Sequence, residues 1–537
     1  MNKRVLILLG IICLVGLFLR TYRLADLPNG LTWDEAALGY NAYSLLQTGK
    51  DEHGTAWPLV FKSFGDYKPG AYVYWSLPFI AALDLNSFST RLPSAIAGVA
   101  AIVGLFLLAG QVYQSNRIAL LSAFVLAVSP WHIFYSRGAW EVNLFVTLLL
   151  FSLYFIMRFL TAKGPLWPGL LLAGVSLYTY QAAKLLTPLV FILVCLLNWG
   201  KIRALISQKQ FWRTHFPVLL FTALLLGFLG WQNLFSASGN RLTRLSIFNY
   251  RPGISETDIS IEGPQLAPFF HNRIDQTIRL ITSRYLYHFS PEVLFFEGPV
   301  QTIRGHIPRM GMLYLLDSFL ILAGLIVIIR KRDWLTGGLL LFSPVPAALT
   351  LAEFSTTRSL FLVIPISLTI ALGLEWLITH LGKWSILFGI LYCFNLAYGL
   401  DLYFNHAVKV WANEFNFGQE AAVDTILKYP KSNVIYTDVF GQPYIYYLFY
   451  AKYPPAQYQA QDRFIDGGVD VGRVDRIDDI EFRQYSLQDM RLSKNTVFVG
   501  APYNIPDEYL NNADNIESYQ QIALEPDKPL LRILKTR

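Results

Sequence analysis

A chain of 537 residues that is 54% hydrophobic and 15% charged lies well below the roughly 25% charge of soluble proteins, which excludes an ordinary water-soluble enzyme. The net charge of +7 does not argue for nucleic acid, because the basic residues gather in short loops between apolar runs, as in the cytoplasmic turns of membrane proteins. Cys13, Cys195 and Cys393 all fall inside apolar runs and are expected as small packed residues, neither a disulfide framework nor a zinc site.

The first element is the apolar run in MNKRVLILLGIICLVGLFLR. It has the basic start of a signal peptide but no small-x-small cleavage site after it, so it is expected as an uncleaved span with a cytoplasmic start. Further runs long enough to cross a bilayer core give eleven expected spans, near 5–20, 92–112, 117–134, 142–160, 166–180, 183–199, 215–231, 311–329, 334–351, 359–378 and 384–402. The loops QSNR, RFLTAKGP, NWGKIRALISQKQFWRTH, RKRD and THLGKW all carry positive charge and are expected inside. The first loop (21–91), SRGAWE, YTYQAAK, a long loop (232–309), AEFSTTR and the tail are then outside. The run AYVYWSLPFIAAL at 71–83 is short for a span and would invert that alternation; it is expected as a helix in the interface, where Tyr and Trp are favoured.

The tail changes character. SNVIYTDVF, NTVFVGAP and PLLRILKTR read as strands and FNFGQEAAVDTILKY as an amphipathic helix. The aromatic stretch VFGQPYIYYLFY is open between strand and helix. DGGVDVGRVDRIDD lacks the ligand spacing of an EF-hand loop and reads as solvated. The expected fold class is a polytopic α-helical membrane protein, with a transmembrane domain over 1–402 and a small extracytoplasmic α/β domain over 403–537.

Ionisable groups at membrane depth cost about 2.5–3.5 kcal/mol even on the lenient insertion scale, and those retained usually face a cavity. Here Asp34, Glu35, Asp66, Lys68, Arg91, Arg137, Glu141, Lys184, His288, Arg304, His306 and Arg358 gather at outer span ends. A carboxylate there can act as general base toward a hydroxyl. Arg and Lys can hold a phosphate or pyrophosphate and stabilise it as it leaves, and an anionic leaving group on a lipid would reach them from within the bilayer.

Five stretches carry a resemblance to a known family. Asp34-Glu35 after the first span resembles the Asp-Glu motif of the GT-C glycosyltransferases. DYKPGAYVYW resembles the Lys-Pro-Pro stretch that opens their second juxtamembrane helix, with Gly70 at the second proline. TRLPSAIAG resembles the Arg-Leu-Pro of their second span, FYSRGAWEVN the segment after the third, and YLYHFSPEVLFFEGPVQTIRGHIPRMGMLY the long-loop signature of bacterial members. The group is that of the protein O-mannosyltransferases and the lipid A aminoarabinose transferases, and the likeness runs in order over about residues 1–380.

The resemblance implies a GT-C fold with juxtamembrane helices in the first outer loop. It implies Asp34 as catalytic base, deprotonating the acceptor as it attacks the anomeric carbon with inversion, and Glu35 as its helper or a donor contact. Lys68 and Arg91 match basic positions near a lipid phosphate; their competing roles are snorkelling and capping a span. Arg137 and Glu141 stand where relatives have an Arg and an Asp, so Glu141 lengthens that arm. Arg304 and His306 resemble an Arg-His pair, here split by Gly305. Arg358 is placed at phosphate or in a positioning role, and Tyr178, Tyr180 and Gln181 in the sugar pocket or as interface anchors. No cofactor is required; a divalent metal is left open, with His288 as its one candidate ligand against a hydrogen-bonded structural role.

The expected activity is transfer of a sugar from a polyprenyl-phosphate donor of undecaprenyl or dolichyl type to a hydroxyl on protein, lipid or glycan. It is expected at the extracytoplasmic face of an inner or plasma membrane, with the bilayer and no nucleic acid as partners. Two alternatives stand beside it: an oligosaccharyltransferase moving a preassembled glycan, and a lipid-linked sugar flippase. A flippase calls for inverted repeats and charges or broken helices at mid-membrane, whereas these charges lie at outer span ends. A scaffold whose tail binds the cell wall would leave the gathered charges unexplained.

Overall fold

The computed structural model describes residues 2–235, 247, 272–299, 303–461, 463–467, 472–525 and 527–537. Much of the long loop expected at 232–309, and part of the acidic stretch at 466–479, lie outside the described residues. The chain divides into two compact units.

The first unit comprises Met1–Arg20, Ile96–Tyr135 and Glu141–Leu402 and is helical. Among the described residues six helices are long and apolar enough to cross a membrane, or eight if each of two bent pairs is one span. α1 (Lys3–Thr21) turns Leu6, Ile7, Ile11, Leu14 and Phe18 outward, a burden of exposed apolar surface that water does not tolerate. The helix Lys209–Phe235 does the same with Phe216, Leu220, Phe221 and Leu224. The apolar runs at 166–180, 311–329 and 334–351, expected as spans, form shorter helices, Trp167–Ser176, Asp317–Lys331 and Trp334–Phe342. Each is cut by a local feature. The first runs into the turn at 177–179, and the third ends just before Pro344. In the second, the buried Asp317 carboxylate accepts from the Tyr314 backbone N–H at 3.0 Å and from Tyr392 Oη at 2.9 Å, which fixes the helix start.

The second unit comprises Thr21–Ala95, Ser136–Trp140 and Tyr403–Arg537. The tail, expected as a domain of its own, thus shares a unit with the loop that follows the first helix. Within it α2 (Trp33–Thr48) is followed by a hairpin of β1 (Val60–Ser63) and β2 (Asp66–Pro69), then α3 (Ala71–Leu83) and the start of α4 (Ser87–Tyr113). The run at 71–83 is therefore a helix of 13 residues, and it packs on α2. The tail strands run in the order 476–477, 480–482, 433–436, 496–500, 528–536, 516–525. The central 433–436 is parallel to both neighbours and the rest are antiparallel. Ile435, Phe498 and Leu534 bury one face against Met490, Ile505 and Tyr509. The strands read at 432–440, 495–502 and 529–537 are all present, as is the helix, at Gln419–Leu427. The aromatic stretch resolves as a helix, Pro443–Tyr450.

Candidate active site

α2 begins where it does because Thr32 and Glu35 form a capping box. Thr32 Oγ1 accepts from the Glu35 N–H at 3.2 Å, and Glu35 Oε2 accepts from the Thr32 N–H at 3.0 Å, which satisfies two otherwise orphaned helix-end donors. Successive helical residues point about 100° apart, so the two acids diverge. Glu35 turns inward and is fully buried; Asp34 stays 38% exposed.

Asp34 Oδ1 accepts a hydrogen bond from Lys68 Nζ. The hairpin aims that ammonium. Its turn uses Phe64 and Gly65, both at positive φ (54° and 82°), and Lys68 lies opposite Phe61 on β2. Lys68 Nζ also sits 5.3 Å above the Phe64 ring. Gly70, the departure from Lys-Pro-Pro, has a reason here. Its N–H donates to Leu59 O at 3.0 Å, a bond proline cannot make, and a Cβ would lie 2.5 Å from the Phe61 ring.

Glu35 is held on three sides. Its Oε1 accepts from Arg91 Nε at 2.8 Å and from the Ala139 N–H at 3.0 Å, and its Oε2 from Arg91 Nη2 at 3.3 Å. Arg91, also fully buried, donates through Nη1 to Leu24 O and Pro28 O and through Nη2 to Gly30 O. Arg137 is buried too. It donates to Tyr403 Oη at 3.0 Å and to Tyr22 O at 2.8 Å and lies over the Tyr403 and Phe404 rings. The two guanidiniums therefore gather the carbonyls of the connector at 22–30 that leads into α2. The resemblance implied substrate contacts for Arg91 and Arg137; the structure surrounds both with protein acceptors instead, because the connector turns its carbonyls inward.

The second half of α2 carries a feature the sequence reading passed over. Asn41 and Glu52 bond reciprocally, Asn41 Nδ2 to Glu52 Oε1 at 3.0 Å and the Glu52 N–H to Asn41 Oδ1 at 3.0 Å. Glu52 Oε2 is buried with no hydrogen-bond partner among the described residues. Burial pushes the Glu52 carboxyl up to about 8, with Asp51 adding to the rise and Asn41 and Lys68 opposing it.

The remaining candidates lie in the first unit. Glu141 opens the helix Glu141–Leu160 half-buried. Tyr178, Tyr180 and Gln181, all half-buried, occupy the turn between the helices Trp167–Ser176 and Ala183–Leu197. Arg304 is half-buried and His306 buried. Gly305 between them takes φ +115°, and a Cβ there would lie 2.2 Å from Thr356 Oγ1 and 2.8 Å from Tyr135 Oη. Only glycine fits at that turn of the Arg-Gly-His sequence. Arg358 donates to Thr350 Oγ1 at 3.3 Å. His288 is buried, stacked on Phe354 at 4.4 Å, with Nδ1 2.7 Å from Arg284 O; burial pushes its pKa down to about 4. Among the described residues no group of three or more His, Cys, Asp or Glu could hold a metal ion.

One buried charge of the first unit is not marked by the sequence. Arg20, fully buried, donates to Gly16 O, Ala127 O and Leu126 O and lies 2.8 Å from His132 Nδ1. In sequence it looks like a charge that stops the first span.

Residues 68–231 match the family model described as dolichyl-phosphate-mannose-protein mannosyltransferase. No curated protein sequence matches the chain. In fold it is similar to ArnT from Cupriavidus metallidurans bound to undecaprenyl phosphate, at 13% identity over 99% of this chain and 98% of that one, with a TM-score of 0.56. It also matches the archaeal oligosaccharyltransferase AglB from Archaeoglobus fulgidus in complex with an inhibitory peptide and a dolichol-phosphate, at 14% identity over 83% of this chain and 64% of that one, with a TM-score of 0.46. The class follows: this is a multi-pass membrane protein with the GT-C glycosyltransferase fold. The family match over residues 68–231 and the fold likeness to ArnT agree with the resemblance that its motifs carry.

Proposed function

We propose that this chain is an inverting glycosyltransferase that moves a sugar from a polyprenyl-phosphate donor to a hydroxyl acceptor at the extracytoplasmic face, with Asp34 as its base. The observation that carries the reading is the split of the acid pair: Glu35 is locked inside the protein, whereas Asp34 keeps solvent access with the Lys68 ammonium against it. In the reaction the acceptor oxygen attacks the anomeric carbon and its proton passes to the Asp34 carboxylate. The bond from the anomeric carbon to the phosphate oxygen breaks, and the polyprenyl phosphate leaves as an anion.

Lys68 serves both partners. While its ammonium rests on Asp34 it favours the charged carboxylate and weakens it as a base. A lipid phosphate competes for the same ammonium, and as Lys68 turns to it Asp34 regains basicity. Glu35, Arg91 and Arg137 hold the connector and the first turn of α2 in place. Glu141, Tyr178, Gln181, Arg304, His306 and Arg358 keep their proposed roles toward the donor. The undecaprenyl phosphate named for ArnT supports a lipid-phosphate donor.

The test is Asp34→Asn, assayed with a panel of labelled polyprenyl-phosphate sugars and candidate acceptors. A positioned base contributes about 10²–10⁴ in rate, so transfer falls by that factor while undecaprenyl phosphate still binds. Turnover at the wild-type rate would overturn the assignment.

A further inference from the structure

The tail grips the segment that carries Asp34. Tyr446, buried on the helix Pro443–Tyr450, donates its hydroxyl to Leu31 O at 3.1 Å and accepts from Asn416 Nδ2 at 2.7 Å. Leu31 immediately precedes Thr32, the cap of α2, so this bond fixes the backbone three residues before Asp34. Further along, Tyr40 Oη donates to Tyr453 O at 2.9 Å, and Gln459 Nε2 donates to Ser44 Oγ, Thr48 Oγ1 and Asp51 O at 2.8–3.1 Å.

Three glycines mark how close the approach is. A Cβ on Gly30 (φ +92°) would lie 2.2 Å from Phe415 O, and one on Gly441 (φ +95°) 2.8 Å from the Trp33 ring. A Cβ on Gly39 would lie 2.7 Å from the Phe449 ring. Any side chain at these positions would force tail and segment apart. The contacts run along the whole of α2, and of these hydrogen bonds it is the Tyr446 one that holds the backbone just ahead of the turn that aims Asp34.

We propose that Tyr446 is a positioning residue for Asp34, and that the tail is through it a working part of the transferase. The proposal rests on Asp34 being the base. Tyr446 touches no reacting atom; its hydroxyl holds Leu31 O, which sets the start of α2 and hence the direction of the Asp34 side chain. A misplacement of about an ångström at a reacting group can cost on the order of 10²-fold in rate.

The experiment uses the full-length protein in nanodiscs, with hydrogen exchange at residues 31–38 as one readout and kcat and KM for the donor found by the panel as the other. Tyr446→Phe keeps the ring and removes the hydroxyl. It is expected to raise exchange at 31–38 about tenfold and lower kcat about tenfold, with donor KM within twofold of wild type. Asn416→Ala, which removes only the donor to that hydroxyl, is expected to move both readouts the same way by a smaller factor. Gln459→Ala loosens the far end of the helix, so its exchange is expected to rise at 44–51 and not at 31–38. The proposal is overturned if both hydroxyl variants leave exchange at 31–38 unchanged, if kcat stays at wild type, or if all three variants loosen the segment alike. An active Asp34→Asn enzyme would sink the base assignment instead, and the exchange readout keeps the two failures apart.

Discussion

Glu35 and Arg91 meet at 2.8 Å with neither side chain exposed, one residue along the chain from an acid that faces solvent. A buried pair of this kind is weak evidence for net stability, but breaking it by removing one partner strands a buried charge at a cost of about 3–5 kcal/mol. Arg91→Ala strands Glu35 and also leaves the carbonyls of Leu24, Pro28 and Gly30 without their donor. The expected outcome is a lowered melting temperature in detergent and poor yield of folded protein. A variant that melts like wild type but binds undecaprenyl phosphate more weakly would instead restore Arg91 to the phosphate.

Lys68 is expected to behave in the opposite way. Its partner is partly exposed, and such pairs contribute about 0–1 kcal/mol, so Lys68→Ala should melt close to wild type. Affinity for undecaprenyl phosphate, measured by titration in nanodiscs, should fall about tenfold or more, because one charge-assisted contact is lost. Unchanged affinity would remove Lys68 from the donor site.

The sequence carried the membrane class, the tail strands and the acid pair, because apolar periodicity and Asp34-Glu35 are local signals. It did not show which acid turns inward, although Thr32-x-x-Glu35 is itself a capping-box pattern and would have marked Glu35. Arg91 read as a phosphate ligand and Arg137 as a substrate contact because an arginine at a span end shows its charge and not the carbonyls folded around it. Arg20 was hidden for the same reason. Glu52 and Tyr446 gave no local sign, since their partners lie 11 and more than 400 residues away along the chain for Asn41 and Leu31.

Gly70 offers a compact check on the hairpin. Gly70→Pro removes the N–H that donates to Leu59 O and drives a ring toward Phe61. Losing the bond costs about 0.5–1.5 kcal/mol, and the crowding adds to it. Lys68 lies two residues away, so undecaprenyl phosphate binding should weaken together with the melting temperature. Retention of both would show that the hairpin does not depend on this turn.

Glu52 predicts a pH dependence with a definite sign. Burial raises its folded-state pKa from 4.5 to about 8, so between those values the folded protein keeps a proton that the unfolded chain has released. Stability rises with pH where the unfolded state binds more protons; here the folded state binds more, so this contribution is full below pH 4.5, falls as pH rises, and is lost by about pH 8. Glu52→Gln keeps the shape of the protonated acid and its acceptor for Asn41 Nδ2 but cannot ionise. The wild type should therefore lose melting temperature from pH 5 to pH 8 relative to the variant, with the two curves closest at the acid end. Parallel curves across that range would mean that Glu52 is already ionised in the folded protein, with its carboxylate neutralised by a cation such as Lys68.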